Sequence, residues 1–212
     1  MYKLYFAPGS AAMAPHAMLE DIGVPFELIK VDTKTGEQRS PGYLKLNPHA
    51  RVPTLIYDGD RVMYESTAVC LFLADRHPDI PFVPKADSKD RARFLQWMAY
   101  LTNTVQESCM HWWHPEKFVD GEREQAAVKR KAEQRTPDMF RFLDGELAKS
   151  GPYLCGQTFY VCDYYAAMLA RWTRAMATPA HTNPNVNKLI RAVMQRPGYA
   201  GMLKAEGIEQ PV

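Results

Sequence analysis

Charge of one sign and long apolar runs are scarce in this sequence, and each shortage excludes a class of partner. The chain has 26 lysine and arginine residues against 24 aspartate and glutamate residues, so its formal net charge is only +2. A protein that attracts nucleic acid or an anionic membrane through its overall field needs a larger basic excess. No apolar stretch approaches the roughly 20 residues of a membrane-spanning helix. We therefore expect no nucleic acid and no membrane as partners.

Cysteine is also sparse, with four residues in a chain of 212. The N-terminal segment MYKLYFAPGS breaks at Pro8 and Gly9 before it could form the apolar core of an export signal. Cysteines of a protein that is not exported are usually free thiols. We predict a cytoplasmic protein without a disulfide framework. Its cysteines are Cys70, Cys109, Cys155 and Cys162.

The first eighty residues carry alternating strand and helix patterns. Residues 2–7 and 25–31 are strand-like, and residues 11–22 between them have helical spacing and end at Gly23. Residues 51–57 and 61–65 flank Asp58-Gly59, a dipeptide typical of a hairpin turn. Ser66 is suited to cap the helix that follows. This order predicts a βαβ unit and an αββα-like remainder around a small mixed sheet.

The rest of the chain has helical patterns only. Three prolines within residues 77–87 indicate a linker. Beyond it no long period-two alternation occurs, and four long segments have helical periodicity. We predict an α/β domain over residues 1–80, a linker over 81–88 and an all-α domain over 89–212.

Two features of the first domain suggest a binding site. Pro53 lies inside a predicted strand, where it cannot donate to the ladder. Glu65 and Ser66 stand at a predicted helix start, where free N–H groups and the helix dipole favour a carboxylate. Glu65 can accept from an ammonium group. One carboxylate site beside one ammonium site suits a zwitterionic ligand, although the dipeptide taken alone favours a plain helix cap beside a solvated glutamate.

Three segments, YFAPGSAAMAPH, NPHARVPTL and YESTAVCLFLADRHP, resemble the glutathione-site segments of cytosolic glutathione transferases, particularly those of the bacterial beta class. The resemblance covers nearly the whole chain. It implies a thioredoxin-like N-terminal domain followed by an all-helical domain. It also implies a homodimer with glutathione as co-substrate and no other cofactor.

The resemblance implies roles for several residues of the first domain. Pro53 would be cis, and Val52 would pair its backbone with the cysteinyl part of glutathione like an added strand. Glu65 and Ser66 would bind the γ-glutamyl end. Arg51 or Lys34 would lie near the glycyl carboxylate.

The catalytic residue is where the sequence departs from the beta class. An ungapped alignment puts Ala11 where that class has its cysteine, and Gln106 and Ala99 where it has a histidine and an asparagine. Two hydroxyls remain as candidates to stabilise the glutathione thiolate, Ser10 first and Tyr5 second. Ser10 could instead bond its own backbone and Tyr5 could pack in the core. The segment also lacks the Cys-x-x-Cys motif of dithiol oxidoreductases, which argues against that activity.

Aromatic residues of the second domain are candidates for the co-substrate pocket. Tyr100, Trp112 and Trp113 could line an apolar pocket or simply pack. The neighbouring Cys109, His111 and His114 are spaced by two and three residues, which spreads them around a helix, so we expect no metal site.

These observations predict a glutathione transferase that conjugates the glutathione thiolate to a hydrophobic electrophile. The missing cysteine leaves an alternative, a catalytically weak glutathione-site protein that carries apolar ligands or regulates a partner. A third possibility is glutathione-dependent peroxidase or ether-cleaving chemistry at the same site.

Overall fold

The computed structural model describes residues 1–209, and the chain divides into two compact units. The first unit contains Met1–Phe82 together with residues 194–209, and the second contains Val83–Val193. Residues 194–209 group with the first unit, although the helical pattern of the second half of the sequence predicted them as part of the all-α domain.

The first unit is built on a four-stranded sheet in the order β2-β1-β3-β4. Strand β1 pairs in parallel with β2 and antiparallel with β3, and β3 pairs antiparallel with β4. This mixed sheet confirms the predicted arrangement. The strands are β1 (Tyr2–Phe6), β2 (Phe26–Lys30), β3 (Thr54–Tyr57) and β4 (Arg61–Tyr64).

Helices α1 (Met13–Ile22), α2 (Pro41–Leu44) and α3 (Ser66–Arg76) accompany the sheet. Helix α1 forms the crossover that a parallel β1–β2 pair requires. It ends at Gly23, whose left-handed φ of 71° suits a residue without a side chain. The resulting order is that of the predicted thioredoxin-like domain.

The first unit also contains helix α9 (Pro197–Glu206), which packs on α1. Gly198 permits this close approach, because a Cβ there would lie 2.3 Å from the carbonyl oxygen of Ala17. The Gly198 N–H donates to the Asp21 carboxylate at 2.7 Å, which satisfies a donor in the first turn of α9. Helix α9 therefore covers α1. The loop between β1 and α1, which contains Ser10, is called the Ser10 loop below.

The second unit is helical, as predicted. A continuous helical segment consists of α4 (Arg91–Tyr100), a π-helical stretch (Leu101–Gln106) and α5 (Glu107–Trp113). Helix α7 (Val161–Trp172) lies at the core, since every residue in it except Arg171 is buried. Two other α-helices begin in this unit, α6 (Glu122–Ser150) and α8 (Pro184–Met194).

The start of α7 depends on a buried carboxylate. Asp163 accepts the backbone N–H groups of Tyr160 and Leu154, both at 2.9 Å, and is fully buried. Its role is to satisfy backbone donors at the helix start, as expected for a capping residue. Within residues 1–209, no helix has both the length and the apolar character needed to cross a bilayer.

Candidate active site

Ser10 lies in the tight loop between β1 and α1. Its N–H donates to the carbonyl of Ala7 at 3.1 Å, and its own carbonyl accepts from Met13 at 3.2 Å. The Ser10 Oγ accepts the N–H of Ala12 at 3.2 Å, so the serine does bond its own backbone. Among the described residues, the hydroxyl proton has no acceptor. The side chain is thus held in place and can still donate one hydrogen bond.

A buried carboxylate from α9 fixes the same loop. Glu206 Oε2 accepts the N–H of Gly9 at 2.8 Å, next to Ser10. Its other oxygen, Oε1, lies 2.8 Å from Nδ1 of His16, which is fully buried in α1. Glu206 was not predicted as part of the site, because 190 residues separate it from His16. The only available signal was a histidine within an otherwise apolar helical face, which needs a polar partner when buried.

Tyr5 is the fourth of the five residues of β1 and lies directly opposite Thr54 of β3. Its half-buried ring meets the Tyr43 ring edge-on, with centroids 5.7 Å apart. Within the part of the chain that is described, its hydroxyl has no hydrogen-bond partner. Tyr5 therefore lies beside the start of β3, and both of the interpretations made from the sequence, core packing and hydroxyl donation, fit its position.

The segment before β3 has the backbone expected of a peptide-binding edge. The Val52–Pro53 peptide bond is cis, as the resemblance implied. Pro53 is buried and Val52 is half-buried. Among residues 1–209, no hydrogen bond engages the N–H or carbonyl of Val52. Both groups are available to pair with an extended ligand.

Glu65 and Ser66 differ from their predicted geometry. Glu65, not Ser66, is the N-cap of α3, and Ser66 is the first helical residue. Because Ser66 stands inside the helix, its hydroxyl is not at the capping position; it donates to the carbonyl of Ala11 at 2.6 Å, a bond that joins α3 to the Ser10 loop. Glu65 is exposed and has a φ of 71°, which is strained for a residue with a side chain. Such strain is found preferentially at functional sites.

Arg51 and Lys34 are both exposed. Neither side chain has a charged or hydrogen-bonded partner among the described residues. Lys34 belongs to a turn in which Asp32 accepts its backbone N–H at 3.0 Å. Arg51 immediately precedes Val52, so the structure keeps it close to the candidate peptide-binding edge.

No cysteine of the chain replaces the one missing at position 11. Ala11 is buried, and all four cysteines are free, buried thiols. Burial raises the pKa of the Cys109 thiol to about 12, and burial also raises the pKa values of Cys70 and Cys162. These thiols are therefore protonated and unreactive near neutral pH.

The structure separates the three aromatic candidates of the second unit. Trp112 and Trp113 are in edge contact, with centroids 4.9 Å apart. Trp112 is only 7% exposed, and its indole N–H donates to Glu133. Tyr100 belongs to a different cluster, with Trp97 and Phe142. The tryptophans thus share one surface and Tyr100 lies in another group.

The residues considered as metal ligands have other contacts. Nδ1 of His111 lies 2.8 Å from the carbonyl of Glu107, and Nδ1 of His114 lies 3.1 Å from the Glu116 carboxylate. Cys109 is fully buried. Within residues 1–209, no cluster of three acidic, histidine or cysteine side chains is arranged to hold a metal ion.

A mixed sheet with a cis-proline edge, followed by an all-helical unit, defines a class of protein, and the sequence profiles of that class match this chain. The profile of the glutathione S-transferase N-terminal domain matches residues 10–76, and that of the C-terminal domain matches residues 75–197. The chain belongs to the glutathione S-transferase family.

Individual members of the family resemble the chain over its full length. Glutathione S-transferase GstA of Escherichia coli O157:H7 is 25% identical, and the match covers 98% of this chain and all of GstA. The beta-class glutathione S-transferase of Sphingomonas chungbukensis is 26% identical with a TM-score of 0.84, covering 97% of this chain and 99% of that structure. A sphingomonad glutathione S-transferase complexed with glutathione is 27% identical with a TM-score of 0.81, over the same shares of the two chains.

Proposed function

We propose that the protein is a glutathione transferase of the serine type, which activates glutathione through Ser10. The observation that carries this proposal is the Ser10 hydroxyl, which is held by the Ala12 N–H and retains an unused proton. That proton can be donated to the glutathione thiolate. Tyr5 is the second candidate, since its hydroxyl also has no partner among the described residues.

Glutathione would bind along the first unit. Val52 would pair with the cysteinyl backbone, and the buried Pro53 would hold the edge on which Val52 lies. The exposed Glu65 carboxylate and the start of α3 at Ser66 would bind the ammonium and carboxylate of the γ-glutamyl end. Arg51 or Lys34 would neutralise the glycyl carboxylate. The relative complexed with glutathione supports this choice of ligand.

Activation of glutathione requires only a modest stabilisation of its thiolate. A thiol has a reference pKa of about 8.5, and lowering it by two units requires about 2.7 kcal/mol of preferential thiolate stabilisation. One hydrogen bond to a charged group contributes about 1.5–3 kcal/mol. The thiolate sulfur would then form a bond to an electrophilic carbon, either by addition or with departure of a leaving group. Such a conjugation is a detoxifying reaction.

The electrophile would be hydrophobic. The half-buried Tyr100 and Trp113 offer apolar ring surface in the second unit, and Trp112 supports the Trp113 ring through their edge contact. We propose no further cofactor. The protein would act in the cytoplasm as a homodimer.

The ultraviolet absorbance of the bound thiolate, titrated against pH, tests the proposal. We expect calorimetry to show glutathione binding and the bound thiol to have an apparent pKa about two units below that of free glutathione. Ser10→Ala should return this pKa toward the free value while glutathione affinity is largely kept. Tyr5→Phe tests the second hydroxyl in the same way. Tyr57→Phe, which removes a hydroxyl elsewhere on the sheet, is the control.

The alternative that follows from Ala11 at the position of the beta-class cysteine is a carrier of apolar ligands. Tight glutathione binding with an unshifted thiol pKa in the unaltered protein would support the carrier. A lowered pKa that persists in both Ser10→Ala and Tyr5→Phe would contradict the assignment of either hydroxyl.

A further inference from the structure

Two buried polar side chains donate to a single backbone carbonyl, that of Arg51, and a third buried side chain bonds to both of them. Tyr43 in α2 donates its hydroxyl proton to this oxygen at 2.7 Å. Asn47 donates its side-chain N–H to the same oxygen at 2.9 Å. Both residues, and Thr54 beside them in β3, are almost fully buried. Both lone pairs of the Arg51 carbonyl are thus engaged by buried donors.

The remaining contacts close these groups into a ring. Asn47 Nδ2 lies 3.2 Å from Thr54 Oγ1, and Thr54 Oγ1 lies 2.9 Å from Tyr43 Oη. Because Tyr43 gives its only proton to Arg51, the Thr54 hydroxyl must donate to Tyr43. Thr54 can then accept the second N–H of Asn47. The hydrogen bonds therefore run from Asn47 to Thr54, from Thr54 to Tyr43, and from Tyr43 to the Arg51 carbonyl, which also accepts directly from Asn47.

The ring fixes the direction of the Val52 N–H. A trans peptide unit is planar, and its C=O and N–H point in opposite directions. The Arg51 carbonyl and the Val52 N–H belong to the same unit. Holding the oxygen inward against buried donors therefore turns the N–H outward. That N–H has no partner within the described residues, so it is presented to a ligand.

We propose that Tyr43, Asn47 and Thr54 are positioning residues that aim the Val52 N–H at the cysteinyl carbonyl of glutathione. The inference rests on the proposed glutathione site and goes beyond it. The three side chains would not touch the ligand. They would act through the single peptide plane between Arg51 and Val52.

The two oxygens of Asn47, one in its side chain and one in its backbone, accept hydrogen bonds from within the same loop. Asn47 Oδ1 accepts the N–H of His49 at 3.0 Å, and the Asn47 carbonyl accepts the N–H of Ala50 at 3.1 Å. Ala50 has a φ of 53°, which is unusual for a residue with a side chain. The loop from Asn47 to Arg51 is therefore held in one conformation by its own bonds and by the ring.

Burial also raises the pKa of the Tyr43 hydroxyl, an effect that the hydrogen bond with Thr54 offsets only in part. Tyr43 thus stays protonated, and stays a donor, throughout the pH range in which a glutathione thiol titrates. Within that pH range the Tyr43 donor is therefore removed by a substitution such as Tyr43→Phe and not by titration.

The test is a thermodynamic cycle between protein and ligand variants, measured by calorimetry on the full chain. Tyr43→Phe and Asn47→Leu each remove one donor to the Arg51 carbonyl. The two ligands are glutathione and its (E)-alkene isostere at the cysteinyl–glycine peptide bond, which keeps the shape and lacks the carbonyl. We expect each variant to bind glutathione about fivefold more weakly, as for a lost hydrogen bond. Each should bind the isostere as the unaltered protein does.

Two further readouts separate positioning from general stability. The thiol pKa of bound glutathione should stay unchanged in Tyr43→Phe, because Ser10 is not touched. Tyr57→Phe, the loss of a hydroxyl from the same strand as Thr54, should leave both affinities unchanged. Thermal melting establishes that each variant is folded, and Tyr43→Phe keeps the inference testable if Asn47→Leu is not.

An equal loss of affinity for both ligands would overturn the inference, since the ring would then only stabilise the fold. Unchanged glutathione affinity in folded Tyr43→Phe would overturn it as well. If the unaltered protein bound no glutathione at all, the proposed function would fail together with this inference. Binding by the unaltered protein with no effect of the ring would contradict the inference alone.

Discussion

At the scale of single residues, the candidate site depends on a few backbone groups and side chains that are held in fixed positions. The Val52–Pro53 bond is cis, and Glu65 has a φ of 71° at the start of α3. The Ser66 hydroxyl donates to the carbonyl of Ala11 at 2.6 Å, which fastens the Ser10 loop to the start of the same helix. A substitution at any of these positions is therefore expected to act on glutathione binding through a specific contact.

Glu65 gives the first prediction at this scale. Glu65→Gln keeps the shape of the side chain and removes the charge that would pair with the glutathione ammonium. We expect the KM for glutathione to rise about tenfold with kcat largely retained, since an ion pair at a binding site contributes about 1.4 kcal/mol or more. Asp60→Asn, the neutralisation of an exposed carboxylate in the β3–β4 turn, is the matched control. Equal KM values for Glu65→Gln and the unaltered protein would remove Glu65 from the site.

Cys109 gives a prediction about pH. Its thiol has a pKa of about 12 in the folded chain because it is buried, and an ordinary value of 9.0. Because the pKa of this thiol is higher in the folded chain than in the unfolded chain, its contribution to the free energy of unfolding is complete below pH 9. The contribution is lost as the pH rises toward 12. Unfolding releases one proton in this window, which lowers the free energy of unfolding by about 1.4 kcal/mol per pH unit.

The measurement compares urea unfolding of the unaltered protein and of Cys109→Ala at several pH values from 8 to 10. The alanine variant should be less stable at pH 8, since a buried side chain is truncated. Its stability should then fall less steeply above pH 9, because one titrating thiol is absent. Parallel pH profiles for the two proteins would show that the thiol is not protected by burial.

At the scale of elements, the two units were predictable to different degrees. The period-two segments and the Asp58-Gly59 turn predicted the sheet, and β3 and β4 indeed flank that turn. The segment that forms α9 was assigned to the all-α domain and was not itself predicted as a helix. Nothing in the sequence indicated its partner, because α9 packs on α1 through Gly198 and through polar contacts with residues 177 and 190 positions away.

The contact between α9 and the Ser10 loop leads to a prediction. Glu206→Gln keeps the side-chain volume but leaves either the Gly9 N–H or His16 without its carboxylate partner. We expect a loss of about 1–3 kcal/mol in the free energy of unfolding, as for a buried group left unsatisfied. Because Gly9 adjoins Ser10, kcat should fall and the thiol pKa of bound glutathione should rise.

Glu209→Gln is the control for this variant, since Glu209 is exposed and lies close to Glu206 in sequence. Denaturant unfolding and the thiolate absorbance titration would be measured on both. A variant at Glu206 that loses stability but keeps the unaltered thiol pKa would show that Glu206 supports the fold without positioning Ser10.

At the scale of the whole molecule, the sequence predicted the fold class better than it predicted the chemistry. Hydrophobic periodicity and the three glutathione-site segments together indicated an α/β domain and an all-α domain, which the structure contains. The catalytic group was not fixed in the same way, because Ala11 replaces the cysteine and two hydroxyls, Ser10 and Tyr5, compete. Hydrophobic periodicity reflects which residues are buried, and it is visible in the sequence. Reactivity depends on which hydroxyl protons lack an acceptor, and that is decided by the partners that the tertiary structure brings together.

The proposed homodimer is the last prediction, and it concerns the surface of the second unit. Phe142 of α6 and Leu95 of α4 are 48% and 46% exposed, more than expected for large apolar side chains. Phe142 contacts the rings of Trp97 and Tyr100, so its exposed face extends an aromatic cluster. An aromatic surface of this kind is typical of a protein interface. Phe142→Ser should therefore weaken self-association.

Sedimentation velocity across a range of protein concentrations provides the measurement. The unaltered protein should sediment as a dimer at micromolar concentration, and Phe142→Ser should shift toward the 24.2 kDa monomer. Phe118→Ser, which alters a 38% exposed aromatic elsewhere in the second unit, is the matched control and should remain dimeric. A monomeric unaltered protein would refute the homodimer. A dimeric Phe142→Ser would place the interface on a different surface, because a loss of this much apolar contact at an interface centre costs more than tenfold in affinity.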